Sequence, residues 1–230
     1  MKPRAVIFDL FGTVVRTFQV TAFEDSLKVM AACLDMEHGI FFQAWTTETN
    51  IKRHTGAFPS IRAEIEWICS QHQVKVSDTK LDKAVEARKE FTRNVLIPRP
   101  DAVPTLTALK KKGIKTGLIS DCSHEVPELW PETPFNGLFD APIFSCCTGT
   151  KKPDPKIYGM ACEQLGVKGE ECFYVGDGYS NELAGARSCG MRAFILAPPD
   201  EENPDTSYWK WDPWDGEKLG ALSEVLKHCG

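Results

Sequence analysis

The sequence has no apolar run approaching the roughly 20 residues that cross a bilayer, and Met1-Lys2-Pro3-Arg4 leads into an apolar segment without a cleavage signal. A cytoplasmic protein that does not engage membranes is expected. Positive charge is not in excess: 27 Lys and Arg face 32 Asp and Glu, a formal charge of −5, which removes the electrostatic case for nucleic-acid binding. Any anionic small-molecule substrate must then be held by local positive groups. Cys-x-x-Cys is missing too. The nine cysteines are odd in number, include the adjacent pair Cys146-Cys147 and sit mostly in apolar segments, so they read as buried thiols rather than a disulfide framework or zinc site. Internal repeats and low-complexity segments are absent, and no convincing strand occurs between about residues 17 and 97.

What is present begins with Ala5-Val6-Ile7-Phe8-Asp9-Leu10-Phe11-Gly12-Thr13. A continuous apolar segment with β-branched Val6 and Ile7, closed by glycine, reads as a strand buried on both faces. It delivers Asp9 at its C-terminal end, where parallel α/β sheets bind ligands. Amphipathic segments follow at 22–34, 40–53, 60–72 and 78–95, with Ser60 a candidate N-cap. They read as an all-helical insertion over 17–97 whose aromatic residues form a bundle core. The stiff connector Ile97-Pro98-Arg99-Pro100 leads back to a regular pattern. A helix is expected over 101–112 with Gly113 as C-cap, then strands at 116–120, 142–145, 171–175 and 192–196, with helices at 156–165 and 181–189. Strands alternating with helices imply a doubly wound parallel α/β sheet, built from residues 1–16 and 98–230. The tail 198–216, with Trp209, Trp211 and Trp214, is either an irregular strap or a subunit contact; a homodimer is compatible with the latter. A short terminal helix is expected over 218–228.

Each later strand also ends in chemistry-bearing residues. The second ends at Ser120-Asp121, where a hydroxyl and free backbone can hydrogen-bond an anion. In Lys151-Lys152-Pro153-Asp154-Pro155, Asp154 caps the next helix with Pro155 at its first position, which holds Lys152 toward the crevice. Tyr174-Val175-Gly176-Asp177-Gly178 repeats the opening design, and Asn181-Glu182 enters a helix. Two strand-end carboxylates, Asp9 and Asp177, with Glu182 nearby, suit a hard divalent cation such as Mg²⁺.

With these four stretches in order, the chain resembles the haloacid dehalogenase-like hydrolase superfamily, of the type with a helical cap inserted after the first motif. The resemblance implies that Asp9 attacks the substrate to form a covalent aspartyl intermediate, with Ser120 and Lys152 orienting and neutralising the transferred group. It implies Mg²⁺ held by Asp9, Asp177 and the backbone carbonyl of Phe11, with Asn181 and Glu182 orienting Asp177 and bound water. Substrate contacts are expected from Gly12, Thr13, Asp121 and Arg53. The pattern breaks at Phe11, where phosphatases of the superfamily carry a second Asp as general acid and base, a role worth about 10²–10⁴-fold. Three readings stay open: a Mg²⁺-dependent phosphatase for a small phosphorylated metabolite with a good leaving group, or one borrowing His54, Lys52 or Arg53 as acid; a 2-haloacid dehalogenase, with Arg16 or Arg53 gripping a carboxylate; and a phosphate-ligand-binding relative that turns over poorly. Asp177 favours the first, because a dehalogenase has little use for it.

Overall fold

The computed structural model describes residues 2–199, 201 and 213–230. Strand β1 (Ala5–Phe8) lies at the centre of a six-stranded parallel sheet. Around it are β2 (Lys115–Ser120), β3 (Ala141–Phe144), β4 (Cys172–Gly176), β5 (Arg192–Leu196) and β6 (Glu217–Leu219), in the order β3-β2-β1-β4-β5-β6. The parallel pairing sets Phe8, the last residue of β1, opposite Leu118 on one side and Val175 on the other, so Asp9 emerges between the ends of β2 and β4. Asp9 N–H donates to the Val175 carbonyl at 2.9 Å, which carries the ladder to the position of the carboxylate itself.

Side chains of β1 alternate between two cores. Val6 and Phe8 pack into one that includes Leu106, Leu118 and Phe194, whereas Ala5 and Ile7 pack into the other with Ile119, Ile157 and Tyr174. All four are fully buried, which explains why the strand reads as a continuous apolar run. Truncating Ile7 to Ala would cost about 2–5 kcal/mol, as for other large-to-small core substitutions.

Between β1 and β2 come the helices α1 (Val20–Cys33), α2 (His38–Gln43), α3 (Asn50–His54), α4 (Ile61–Gln71), α5 (Asp78–Val95) and α6 (Ala102–Lys111). α1 to α5 enclose a separate core around Leu27, Phe41, Trp45, Ile65 and Leu81. Ser60 caps α4 through its hydroxyl, which accepts from Ala63 N–H at 3.1 Å. The stretch 40–53, expected as one helix, is broken: α2 runs into a π-helical turn over Ala44–Glu48 before α3 starts. The Thr46 hydroxyl bonds to the Phe42 carbonyl and the Thr49 hydroxyl to those of Ala44 and Trp45, the competition by threonine that disturbs the regular helical ladder.

The second half contains α7 (Glu125–Leu129), α8 (Ser145–Thr148), α9 (Pro155–Leu165) and α10 (Glu182–Ser188). α7 and α8 were not anticipated, being too short to show periodicity. The helix expected over 218–228 is instead β6 followed, beyond Gly220, by a 3₁₀ turn over Leu222–His228. Trp214 packs beneath the Arg187 guanidinium, 4.0 Å from its ring centroid, and donates to the Glu217 carbonyl at 3.1 Å. Trp209 and Trp211 lie outside the described residues. No helix among the described residues is long and apolar enough to cross a membrane.

Candidate active site

The four strand-end stretches converge. Lys152 Nζ donates to Asp9 Oδ1, and also to Glu182 Oε2 at 2.6 Å. Glu182 is fully buried and saturated: Tyr174 OH donates to Oε2 at 2.8 Å, Gly178 N–H to Oε1 at 3.0 Å, and Tyr158 OH to its backbone carbonyl at 2.8 Å. Carboxylate oxygens of Asp9, Asp177 and Glu182 lie within 4.8 Å of one another. Gly12 makes this closeness possible. Its φ is +79°, and a Cβ there would stand 2.2 Å from Asp177 Oδ2, so only glycine admits the loop at this separation. Thr13 Oγ1 donates to Asp9 Oδ2 at 3.3 Å.

Several carboxylates facing one ammonium leave an excess of negative charge. Burial, with Glu182 adding to it and Lys152 opposing it, pushes the Asp9 carboxyl up to about 7. Burial, Glu182 and Asp9 together raise that of half-buried Asp177 well above its ordinary value. On Lys152, burial works against the charge, but Asp9 and Glu182 outweigh it and keep the proton in place. Asp9 and Asp177 line the cavity over the strand ends whereas Glu182 does not, so these two are the carboxylates that can face a hard cation there. Their oxygen donors match the chemistry of Mg²⁺.

Other residues singled out in the sequence occupy varied positions. Asp121 Oδ1 accepts from Lys152 N–H at 2.9 Å, while Lys151 Nζ stands 3.5 Å from Oδ2, so Asp121 fastens the Lys152 segment. Ser120 is fully buried at the end of β2, with its hydroxyl unpartnered among the described residues. Asn181, expected to orient Asp177, is exposed, holds a left-handed φ of 55° and makes no side-chain cap. The Asp177 carboxylate is instead held by Tyr179 N–H at 2.9 Å.

A cavity of about 180 Å³ opens over these strand ends, roofed by the helical insertion. On one side Phe11 extends an aromatic wall, edge to face with Phe18 at 5.9 Å, while Phe18 meets Phe91 at 5.5 Å. Polar side chains complete the lining, with Arg88 lying over the Phe91 ring at 5.0 Å. Arg53 lines the cavity but is committed to an ion pair with buried Glu64 and to the Trp45 carbonyl, with Nε unpartnered among the described residues. Arg88 Nε donates to Glu125 Oε1 at 2.8 Å, and Ser123 Oγ donates to the same oxygen at 2.7 Å. His54 also lines the cavity, and burial with Arg53, Lys151 and Arg88 nearby holds its imidazole neutral, well below its ordinary pKa. Lys52 is exposed and lies over the Trp67 ring at 4.3 Å, and Arg16 pairs with Glu201 at 3.6 Å; neither lines the cavity.

Arg99 is not singled out by the sequence pattern. It donates to the Thr13 carbonyl at 2.7 Å and the Gly12 carbonyl at 2.8 Å, bracing the loop after Asp9, and it pairs with Glu201. A lone arginine between Pro98 and Pro100, just before the sheet resumes, was its only signal.

A parallel α/β sheet with a lysine-paired carboxylate on its central strand defines an enzyme working at the carboxyl ends of its strands. Residues 3–190 match the haloacid dehalogenase-like hydrolases, and the chain belongs to that family. It is 37% identical over 111 residues to the glyceraldehyde 3-phosphate phosphatase of Methanopyrus kandleri, a match spanning 47% of each chain and so about half the length of that relative. It is 27% identical to the phosphoglycolate phosphatase of Aquifex aeolicus over 84% of each. Among solved structures, the L-2-haloacid dehalogenase of Xanthobacter autotrophicus with chloropropionic acid covalently bound superposes with a TM-score of 0.64, covering 98% of this chain and 97% of the other at 18% identity, a likeness of fold alone.

Proposed function

We propose that this hydrolase cleaves a phosphate group from a small phosphorylated metabolite, with Asp9 as nucleophile and Mg²⁺ as cofactor. The observation that carries this reading is the pairing of two strand-end carboxylates, Asp9 and Asp177, one of them bound to Lys152. A nucleophile that displaces halide needs no second carboxylate. A phosphoryl group with its metal does.

Asp9 Oδ2, the oxygen not facing Lys152, attacks phosphorus. The P–O bond to the leaving group breaks, and an aspartyl phosphate forms. Lys152, held by Glu182, faces the transferred group and offsets its charge. Ser120 at the end of β2 and the backbone around Gly12 and Thr13 orient its oxygens. Asp9, Asp177 and the Phe11 carbonyl would hold Mg²⁺, which would supply charge neutralisation on the phosphoryl oxygens. Water then attacks phosphorus and restores Asp9.

Phe11 supplies no proton. The reading therefore favours substrates whose leaving group departs without protonation, such as acyl phosphates. Neutral His54, which lines the cavity, is the candidate proton acceptor there. Hydrolysis of acetyl phosphate and of an aryl phosphate should require Mg²⁺ and vanish in Asp9→Asn; turnover undiminished by chelator would overturn the proposal. The aromatic wall at Phe11 is the observation favouring a dehalogenase. Metal-independent halide release from 2-chloropropionate would decide for it.

A further inference from the structure

A second convergence of ligating side chains lies outside the carboxylate site. His124 stands in the loop between β2 and α7, and Cys146 and Cys147 lie on α8, directly after β3. One ligating atom from each of the three falls within 4.8 Å of the others. The Cys146 and Cys147 sulfurs are 3.8 Å apart. That is the edge of a tetrahedron whose metal–sulfur bonds are about 2.3 Å, the length typical of zinc, and far beyond the roughly 2.05 Å of a disulfide. His124 Nε2 is buried without a hydrogen-bond partner among the described residues, an arrangement that calls for an explanation in a folded protein. The loops are already tied together: Cys122 N–H donates to Ser145 Oγ at 3.1 Å. Cys147 is exposed and leaves a path of entry, whereas Cys146 is buried.

We propose that His124, Cys146 and Cys147 bind a single borderline-soft metal ion of the zinc type, with the fourth position open to water. Two thiolates and an imidazole select such an ion over Mg²⁺, which prefers oxygen donors. Binding replaces two S–H bonds by two metal–sulfur bonds and releases two protons to solvent. Adjacent cysteines with one histidine 22 positions before them (146 − 124) escape the usual zinc spacings, which is why the sequence hid the site.

The location gives the ion a structural consequence. The Gly56 turn of the insertion, at φ +71°, approaches Cys146 so closely that a Cβ would stand 2.3 Å from the Cys146 carbonyl oxygen. Cys122, Ser123 and Glu125, flanking His124, line the active-site cavity. The ion therefore clasps the loop after β2 to the seat of the insertion.

The test uses the full chain, reduced and stripped of metals, in excess Mg²⁺, with Co²⁺ as probe and Zn²⁺ as competitor. One equivalent of Co²⁺ should bind with sulfur-to-metal charge transfer and tetrahedral visible bands, and Zn²⁺ should displace it. Cys147→Ser, at an exposed position, and His124→Gln should each weaken binding by more than about 10-fold, the least that loss of even an outer partner costs, while Asp177→Asn leaves it unchanged. An octahedral spectrum without charge transfer, full affinity in Cys147→Ser, or loss in Asp177→Asn would each overturn the proposal.

Discussion

The two walls of the cavity differ in how their polar groups are satisfied. On the sheet side, Glu182 receives Lys152, Tyr174 and Gly178, Lys152 is shared between two carboxylates, and Asp121 fastens the backbone beside it. On the insertion side, Arg53 Nε, Glu64 Oε2 and an Arg88 nitrogen have no hydrogen-bond partner among the described residues, and neither does Glu125 Oε2, contributed from α7. The satisfied Lys152–Glu182 network fixes one geometry; the unpartnered groups, the Ser120 hydroxyl on the sheet side among them, keep donors and acceptors for something that enters. The proposed function therefore assigns the reaction to the sheet side and the choice of substrate to the insertion.

Asp9→Asn should have the largest effect, lowering kcat by on the order of 10⁴-fold or more in a continuous phosphate-release assay, as removal of a nucleophile does elsewhere. Next comes Lys152→Met, which leaves Asp9 and Glu182 buried without their cation. Breaking a buried pair costs about 3–5 kcal/mol, so denaturant unfolding should register the loss together with inactivation. If Arg88→Met caused an equal loss of kcat, the contrast between the walls would fail. It should instead alter KM and substrate preference by roughly 10-fold while kcat for a small generic phosphate stays within about 3-fold, the pattern of lost uniform binding.

The smaller predictions concern pH. The folded Asp9 carboxyl titrates near 7 against 3.8 in the unfolded chain, so between those values the native state binds more protons, and stability falls as pH rises through this window. Without divalent metal, Asp9→Asn should therefore be more stable than the parent at pH 8, by roughly 1–3 kcal/mol, and the difference should shrink toward pH 4. His54 has the opposite sign. Its folded pKa lies below 6.5, so the native state binds fewer protons and stability is lost as pH falls through 6.5. His54→Gln should lessen that loss in thermal melts between pH 7 and 5.

The contrast between the walls also separates what the sequence disclosed from what it concealed. β1 and β4 were legible because both are unbroken apolar strands ending in Asp, and the parallel order then brings Asp9 and Asp177 together without further information. Lys152 was legible through Asp154 and Pro155, whose cap locates the start of α9. The insertion was legible as helices but not as a surface. The π turn depends on threonine hydroxyls choosing backbone carbonyls, and the commitment of Arg53 to Glu64 joins α3 to α4, a pairing that periodicity does not encode. β6 has only three residues, Glu217 to Leu219, too few to show alternation.

The central claim is that phosphate passes through Asp9. Acid quenching during turnover of acetyl phosphate with Mg²⁺, followed by peptide mass mapping, should find one phosphoryl group on the peptide containing Asp9, labile to hydroxylamine and absent from Asp9→Asn. Steady turnover with no adduct on that peptide, or with the adduct on another residue, would contradict it.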